Sequence, residues 1–207
     1  MNEMITLILG ITLSGKTLLA KELSKTLSEQ GKRVLIFNPM DGKGYTGETF
    51  SDKEVFIEEV NKSPGAILII DEVTHFFSSE ELVTFAEENP VILIGQQTRA
   101  SLDRLIYDAD ILFLFHLPRE DGKVLSTNSH GVCTDKYKPL ECSYHREGLF
   151  PIKTTISAQN GIEDENILAD FMKCFKPKEF PKVKLDLPKW SLEELEKGWK
   201  HLNSRPN

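Results

Sequence analysis

Gly10, Gly15, Lys16 and Thr17 occupy the four fixed positions of the phosphate-binding pattern G-x-x-x-x-G-K-[ST], in the run Gly10-Ile11-Thr12-Leu13-Ser14-Gly15-Lys16-Thr17. Two glycines let the backbone wrap closely round a phosphate chain and turn N–H groups inward with no Cβ in the way. The loop opens into a helix N-terminus, whose unpaired N–H groups and positive dipole end also favour an anion. Lys16 is expected to reach the β and γ phosphates as a point charge, and the Thr17 hydroxyl to ligate Mg2+. The segment from Gly10 to Leu18 is therefore the expected binding stretch for ATP.

Two further groups complete the chemistry. Asp71 follows the apolar run Ala66-Ile-Leu-Ile-Ile70, so a carboxylate at a strand end is placed to share the metal with Thr17. Glu72 is suited to polarise a water against the γ phosphate as general base. Gln96 or Gln97 ends the strand Val91-Ile-Leu-Ile94 after Gly95. An amide there donates and accepts at once and can bond the γ phosphate or the attacking water. Gln96, the first residue past the glycine, is the preferred candidate.

These groups must be carried by elements that bring them to one edge. Ile5–Leu9 reads as a buried strand, and residues 16–30 as a helix with Leu19, Leu23 and Leu27 on one stripe and Gly31 as its stop. Val34–Phe37 is a second strand. Residues 38–47 break regular structure and form either a plain loop or one that offers Lys43 and Tyr45 to a nucleotide or polymer. Ser51-Asp-Lys-Glu54 and Ser78-Ser-Glu-Glu81 each read as a helix start, the first as a capping box. A short helix at 101–107, a strand at 111–115 and a helix at 163–175 follow. Strand–helix alternation of this kind predicts an α/β three-layer sandwich with a mainly parallel central sheet. Residues 117–160 read as an antiparallel or irregular appendage, beginning with an Asp121-Gly122 turn. The expected division is a domain over 1–176, with its core at 4–116, and a tail over 177–207. Pro177, Pro181 and Pro188 hold that tail extended before a final helix that carries Trp199.

The P-loop, the Asp71-Glu72 pair and a Gln closing the next strand resemble the additional-strand catalytic-glutamate ATPases. Within that class, residues 93–115 are similar to the HerA/FtsK group, which includes the small viral genome-packaging ATPases. The resemblance covers about residues 4–116 and implies an ATP hydrolase that assembles into a homo-oligomeric ring and moves DNA. That group often carries an arginine just before the Gln-bearing strand, supplied to a neighbour's ATP, where this chain has Glu87-Glu-Asn-Pro90. Arg99 and Arg104 become the candidates for that role. A second resemblance, to the thymidine kinase family, rests on Asp71-Glu72 followed by Phe76-Phe77 and implies a nucleoside kinase. A nucleotide-dependent switch or assembly factor is the third reading.

Composition limits the partners. The net charge is −7, yet residues 173–207 hold nine Lys/Arg against five Asp/Glu, a net +4 that leaves −11 on the rest. This excludes a uniformly basic nucleic-acid binder and leaves the tail as a candidate contact for a phosphate backbone. Three cysteines, no apolar run of about 20 residues and a non-basic start lead to the expectation of a cytoplasmic protein with no membrane span. His130-Gly-Val-Cys133 and Cys142-Ser-Tyr-His145 mirror each other and invite a zinc reading. A spacing of three puts His and Cys on opposite faces of a regular strand, so buried thiols and surface histidines are favoured.

Overall fold

Apolar residues alternate along the strands between two faces, and each face is covered by helices. The computed structural model describes residues 4–40, 43–96, 105–106, 108–117, 137–146, 151–157 and 161–175, all within the compact unit Met1–Lys176. The expected tail, Arg99, Arg104, Gln97, His130 and Cys133 lie outside the described residues, as does most of the segment 101–107 expected to be helical.

Among the described residues the strands are β1 (Ile5–Leu9), β2 (Val34–Phe37), β3 (Glu48–Phe50), β4 (Ile67–Ile70), β5 (Val91–Gly95), β6 (Ile111–Leu114), β7 (Glu141–Arg146), β8 (Ile152–Ser157) and β9 (Gly161–Ile162). They join in the order β3-β2-β4-β5-β1-β6-β7-β8-β9. Pairing is parallel from β3 through β6 and antiparallel from β6 onward. The antiparallel segment expected as an appendage thus continues the central sheet. The helices are α1 (Lys16–Glu29), α2 (Lys53–Asn61), α3 (Val73–Phe76), α4 (Ser79–Glu88) and α5 (Glu165–Cys174).

Leu7, Leu9, Leu35, Phe37, Leu68, Ile70 and Leu93 meet Phe56 and Val60 of α2 and Leu82 and Phe85 of α4 on one face. Ile8, Ile36, Ile69, Ile92, Ile94 and Phe113 meet Leu19, Leu23 and Leu27 of α1 and Ile167 and Phe171 of α5 on the other. The parallel strands bury both faces, which is why they are continuous runs of branched aliphatics rather than alternating ones. Sequence alternation and structure agree on a three-layer sandwich.

Three local readings change. The Ser51 capping box is replaced by Asp52, whose side chain accepts from the Val55 N–H at 3.0 Å. β3 runs to Phe50 and delays the helix by one residue, and a carboxylate at the cap also favours the helix dipole. β3 itself was not expected, since two of its three residues are exposed and the segment has no apolar run. α3, a single turn after Glu72, is likewise new. At Ser78 the capping box is present in full.

Phe113 sits fully buried where β6, β7 and α5 meet, with ring centroids 5.1 Å from Tyr144 and 5.9 Å from Phe171. Phe113→Ala is expected to lower the unfolding free energy by about 3–5 kcal/mol, measured by urea denaturation, because it empties a site closed on every side.

Candidate active site

β1, β4 and β5 are adjacent and parallel, so their carboxyl ends deliver three segments to one place. From β1 the chain enters the glycine loop. Its left-handed turns are Leu13 at φ 63° and Gly15 at φ 109°. A Cβ on Gly10 would lie 2.6 Å from the Phe115 Cβ and 2.8 Å from the Ser14 Oγ, so only glycine lets the backbone pass there. The loop is tied down by the Ile11 N–H to the His116 carbonyl at 2.9 Å and the Leu140 N–H to the Ser14 carbonyl at 3.0 Å. Gly15 precedes α1 without a side-chain cap, and the first turn has no acidic residue. That leaves its N–H groups and dipole for an anion.

Lys16 is buried, and its Nζ donates to the Ile11 carbonyl at 2.8 Å. Burial pushes its pKa down, while Glu72 and Asp71 oppose that shift. The Thr17 hydroxyl donates to Asp71 Oδ2 at 3.3 Å, so the two expected metal ligands converge from distant parts of the chain. A hydroxyl and a carboxylate form an all-oxygen set that suits Mg2+. Asp71 Oδ1 accepts from the Glu72 N–H at 3.0 Å, and Tyr45 donates to Oδ2 at 2.8 Å. Desolvation drives the Asp71 pKa up, partly countered by the bonds from Tyr45, the Glu72 N–H and Thr17.

Glu72 stands in the left-handed region at φ 55°, as the second residue after the β4 strand end and the lead-in to α3. Gln96 donates from Nε2 to Glu72 Oε1 at 2.7 Å and accepts on Oε1 from the Thr12 hydroxyl at 3.2 Å. One amide therefore links the glycine loop to the carboxylate. Glu72 Oε2 and Ser14 Oγ are buried and accept no hydrogen bond from the described residues. These are a proton acceptor and a glycine-loop hydroxyl left unpaired, as a Mg-ATP site needs, so the residues present fit both groups.

Residue reasoning missed Tyr45 as part of this cluster. It had been expected either in a plain loop or offered to a nucleotide or polymer, whereas its hydroxyl points inward to Asp71. The signal was the glycine pair Gly44 and Gly47, at φ 87° and 139°, which bends the segment back over α1. His145 also departs from expectation. It is buried with Nε2 2.8 Å from Ser143 Oγ, because Cys142 and Tyr144 take the helix-covered face of β7 and leave His145 on the opposite one. Cys142 pairs across the sheet with Thr154, and burial raises its pKa to about 12.

Residues 6–102 match the family model described as ATPase family associated with various cellular activities (AAA). The genome packaging NTPase B204 from Sulfolobus turreted icosahedral virus 2, in complex with AMPPCP, is similar in fold, at TM-score 0.59 and 17% identity over 74% of this chain and 97% of that one. The match and the fold together support a P-loop ATPase. The conjugation coupling protein TcpA of pCW3, in its monomer form with ATPγS, is similar in fold at TM-score 0.56 and 11% identity, over 82% of this chain and 65% of that one. The cytoplasmic domain of the Thermomonospora curvata type VII secretion ATPase EccC is likewise similar, at TM-score 0.56 and 11%, over 74% and 23%. No curated protein sequence matches this chain. No helix among its described residues is long and apolar enough to cross a membrane.

The raised pKa of Asp71 sets a testable sign. A carboxyl whose folded pKa lies above its unfolded one contributes stability at low pH that is lost as pH rises through the folded value. Asp71→Asn removes that cost. Without nucleotide, its melting temperature at pH 7 is expected above that of the parent, with the gap closing as pH falls below the ordinary aspartate range. Differential scanning calorimetry across pH checks this.

Proposed function

We propose that this ATPase hydrolyses Mg-ATP within a homo-oligomeric ring and moves DNA, as a genome-packaging or related translocase. The observation that carries the hydrolytic reading is the chain of contacts Thr12–Gln96–Glu72, which connects the phosphate loop to a carboxylate with one free oxygen. In this reading Lys16 leaves the Ile11 carbonyl for the β and γ phosphates, and the first-turn N–H groups of α1 hold their remaining oxygens. Thr17 and Asp71 hold Mg2+, which when bound neutralises charge on the same oxygens. Glu72 takes the proton of the attacking water on Oε2, while Gln96 fixes the orientation of the carboxylate.

The DNA part of the proposal is supported by likeness in fold. The B204 protein of Sulfolobus turreted icosahedral virus is described as a DNA-packaging ATPase, and the match spans 98% of its chain at 18% identity and TM-score 0.58. In a lone site, Lys16 alone cannot cover every equatorial oxygen of the transferring phosphoryl. We assign that role to Arg99 or Arg104 of a neighbouring copy, worth on the order of a thousandfold in rate. The basic tail is the proposed contact for the DNA backbone.

Lys16→Ala is expected to abolish ATP binding. Glu72→Gln should keep it and lower kcat by about 100-fold or more. Isothermal titration with a nonhydrolysable analogue, paired with phosphate release, separates the two, and near-normal turnover in Glu72→Gln would remove the base assignment. DNA and deoxynucleosides added separately to that assay test the partner. Stimulation by DNA supports translocation, whereas ATP consumption that depends on a deoxynucleoside supports the kinase.

Mixtures of Arg99→Ala or Arg104→Ala chains with Lys16→Ala chains test the shared site. Activity is expected to return in the mixture, since each partner supplies the half the other lacks. Normal hydrolysis in both arginine variants, with specific activity independent of protein concentration, would show the site to be complete within one chain.

A further inference from the structure

The segment 43–47 lies at the end of the sheet away from the antiparallel strands, and its fastening to α1 is specific. The Thr46 N–H donates to Ser24 Oγ at 3.1 Å, and the Ser28 hydroxyl donates to the Thr46 carbonyl at 3.0 Å. Gly47 passes so close to β2 that a Cβ would meet Ile36 Cδ1 at 2.6 Å and the Val34 carbonyl at 2.7 Å. A Cβ on Gly44 would lie 3.3 Å from Lys21 Nζ, and that ammonium stands 5.5 Å from the centre of the Tyr45 ring. Tyr45 is thereby held by its neighbours on both sides, and its ring packs against the α1 face of the core.

Its hydroxyl reaches the oxygen of Asp71 that also faces Thr17. Of the two carboxylate oxygens, Oδ1 is fixed by the Glu72 N–H, and Oδ2 by Tyr45 at 2.8 Å and Thr17 at 3.3 Å. The shorter bond to Oδ2 therefore comes from a residue that is neither in the glycine loop nor on β4. Without it, the plane of the carboxylate would be set by one backbone bond and by a hydroxyl that must itself present a lone pair to the cation. Groups that hydrogen-bond a ligating carboxylate orient it, and their loss typically costs about 10- to 100-fold in metal affinity.

We infer that Tyr45 is a positioning residue for the metal site, orienting the Asp71 carboxylate toward the divalent cation of the bound nucleotide. The inference rests on the Mg-ATP reading of the site and assigns Tyr45 a role in metal affinity but not in nucleotide affinity as such. Tyr45→Phe keeps the ring beneath Lys21 and removes only the hydroxyl.

The test measures Mn2+ binding by electron paramagnetic resonance in the presence of the β,γ-methylene analogue of ATP, and binding of the same analogue in EDTA by calorimetry. Tyr45→Phe is expected to weaken Mn2+ by about 10- to 100-fold and to leave analogue binding in EDTA within about twofold of the parent. In an Asp71→Asn background the same change should have no further effect on Mn2+, since the group it orients is gone. Mn2+ affinity within twofold of the parent would overturn the inference. So would an equal loss of analogue binding in EDTA, which would make Tyr45 a prop for the loop, or a further Mn2+ loss in the Asp71→Asn background. A parent chain that binds the analogue in EDTA but takes up no Mn2+ with it would overturn the Mg-ATP reading itself and this inference with it.

Discussion

The parallel pairing of β1 with β5, in register from Ile5 against Val91 to Leu9 against Gly95, is the constraint on which the site depends. It places β5 between the strand that leads into the glycine loop and the strand that ends in Asp71 and Glu72. The residue after β5, Gln96, is then within reach of both Thr12 and Glu72. Had β4 paired directly with β1, no side chain would stand between loop and carboxylate. The register is fixed because β1 and β5 are buried on both faces, so a slip of one residue would turn every side chain into the wrong layer. At the other end of β1, Asp110 accepts from the Ile5 N–H at 2.8 Å and returns its own N–H to the Ile5 carbonyl at 2.9 Å, which stops the strand from sliding.

Around that frame the protein keeps ionisable groups where water is scarce. Lys16 and Asp71 are both buried, and both are pushed toward their neutral forms by desolvation. Neither shift serves the free fold. A buried ammonium resting on a backbone carbonyl and a buried carboxylate resting on two hydroxyls are incompletely compensated charges, of the kind found where a ligand of opposite charge completes the set. The apolar layers on either side supply the stability that makes this tolerable.

Much of this was legible in the residues. The glycine loop has fixed spacing and a helix behind it, and Asp71 and Glu72 follow a continuous aliphatic run, so strand ends and chemistry coincide in the sequence. The helix start at Ser78-Ser-Glu-Glu81 was equally readable, since it depends on four consecutive residues. What was not legible depends on partners far along the chain. β3 has only three residues and two of them face water, so it carries no periodic signal and exists because β2 offers an unpaired edge. The inward turn of Tyr45 depends on contacts with α1 that no local pattern encodes. His145 looked like a surface residue because polar type was read without knowing that β7 would lie inside a sheet, with β6 on one side and β8 on the other.

Leu140 carries a left-handed backbone at φ 69° without being glycine, and its N–H grips the Ser14 carbonyl while its own carbonyl accepts from Ile156 at 2.9 Å. A branched side chain in that region stores strain that the surrounding bonds must hold. On the opposite side, the segment before β3 reaches the same cluster through Tyr45. The phosphate loop is thus fastened to the segment before β7, and the Asp71 carboxylate beside it to the segment before β3. A shift of the Ser14 carbonyl by a few tenths of an ångström would load the antiparallel strands through Leu140, and a turn of Asp71 would load the opposite margin through Tyr45. Displacement of either group would therefore be felt beyond the site, at β7 and β8 on one side and at β3 on the other.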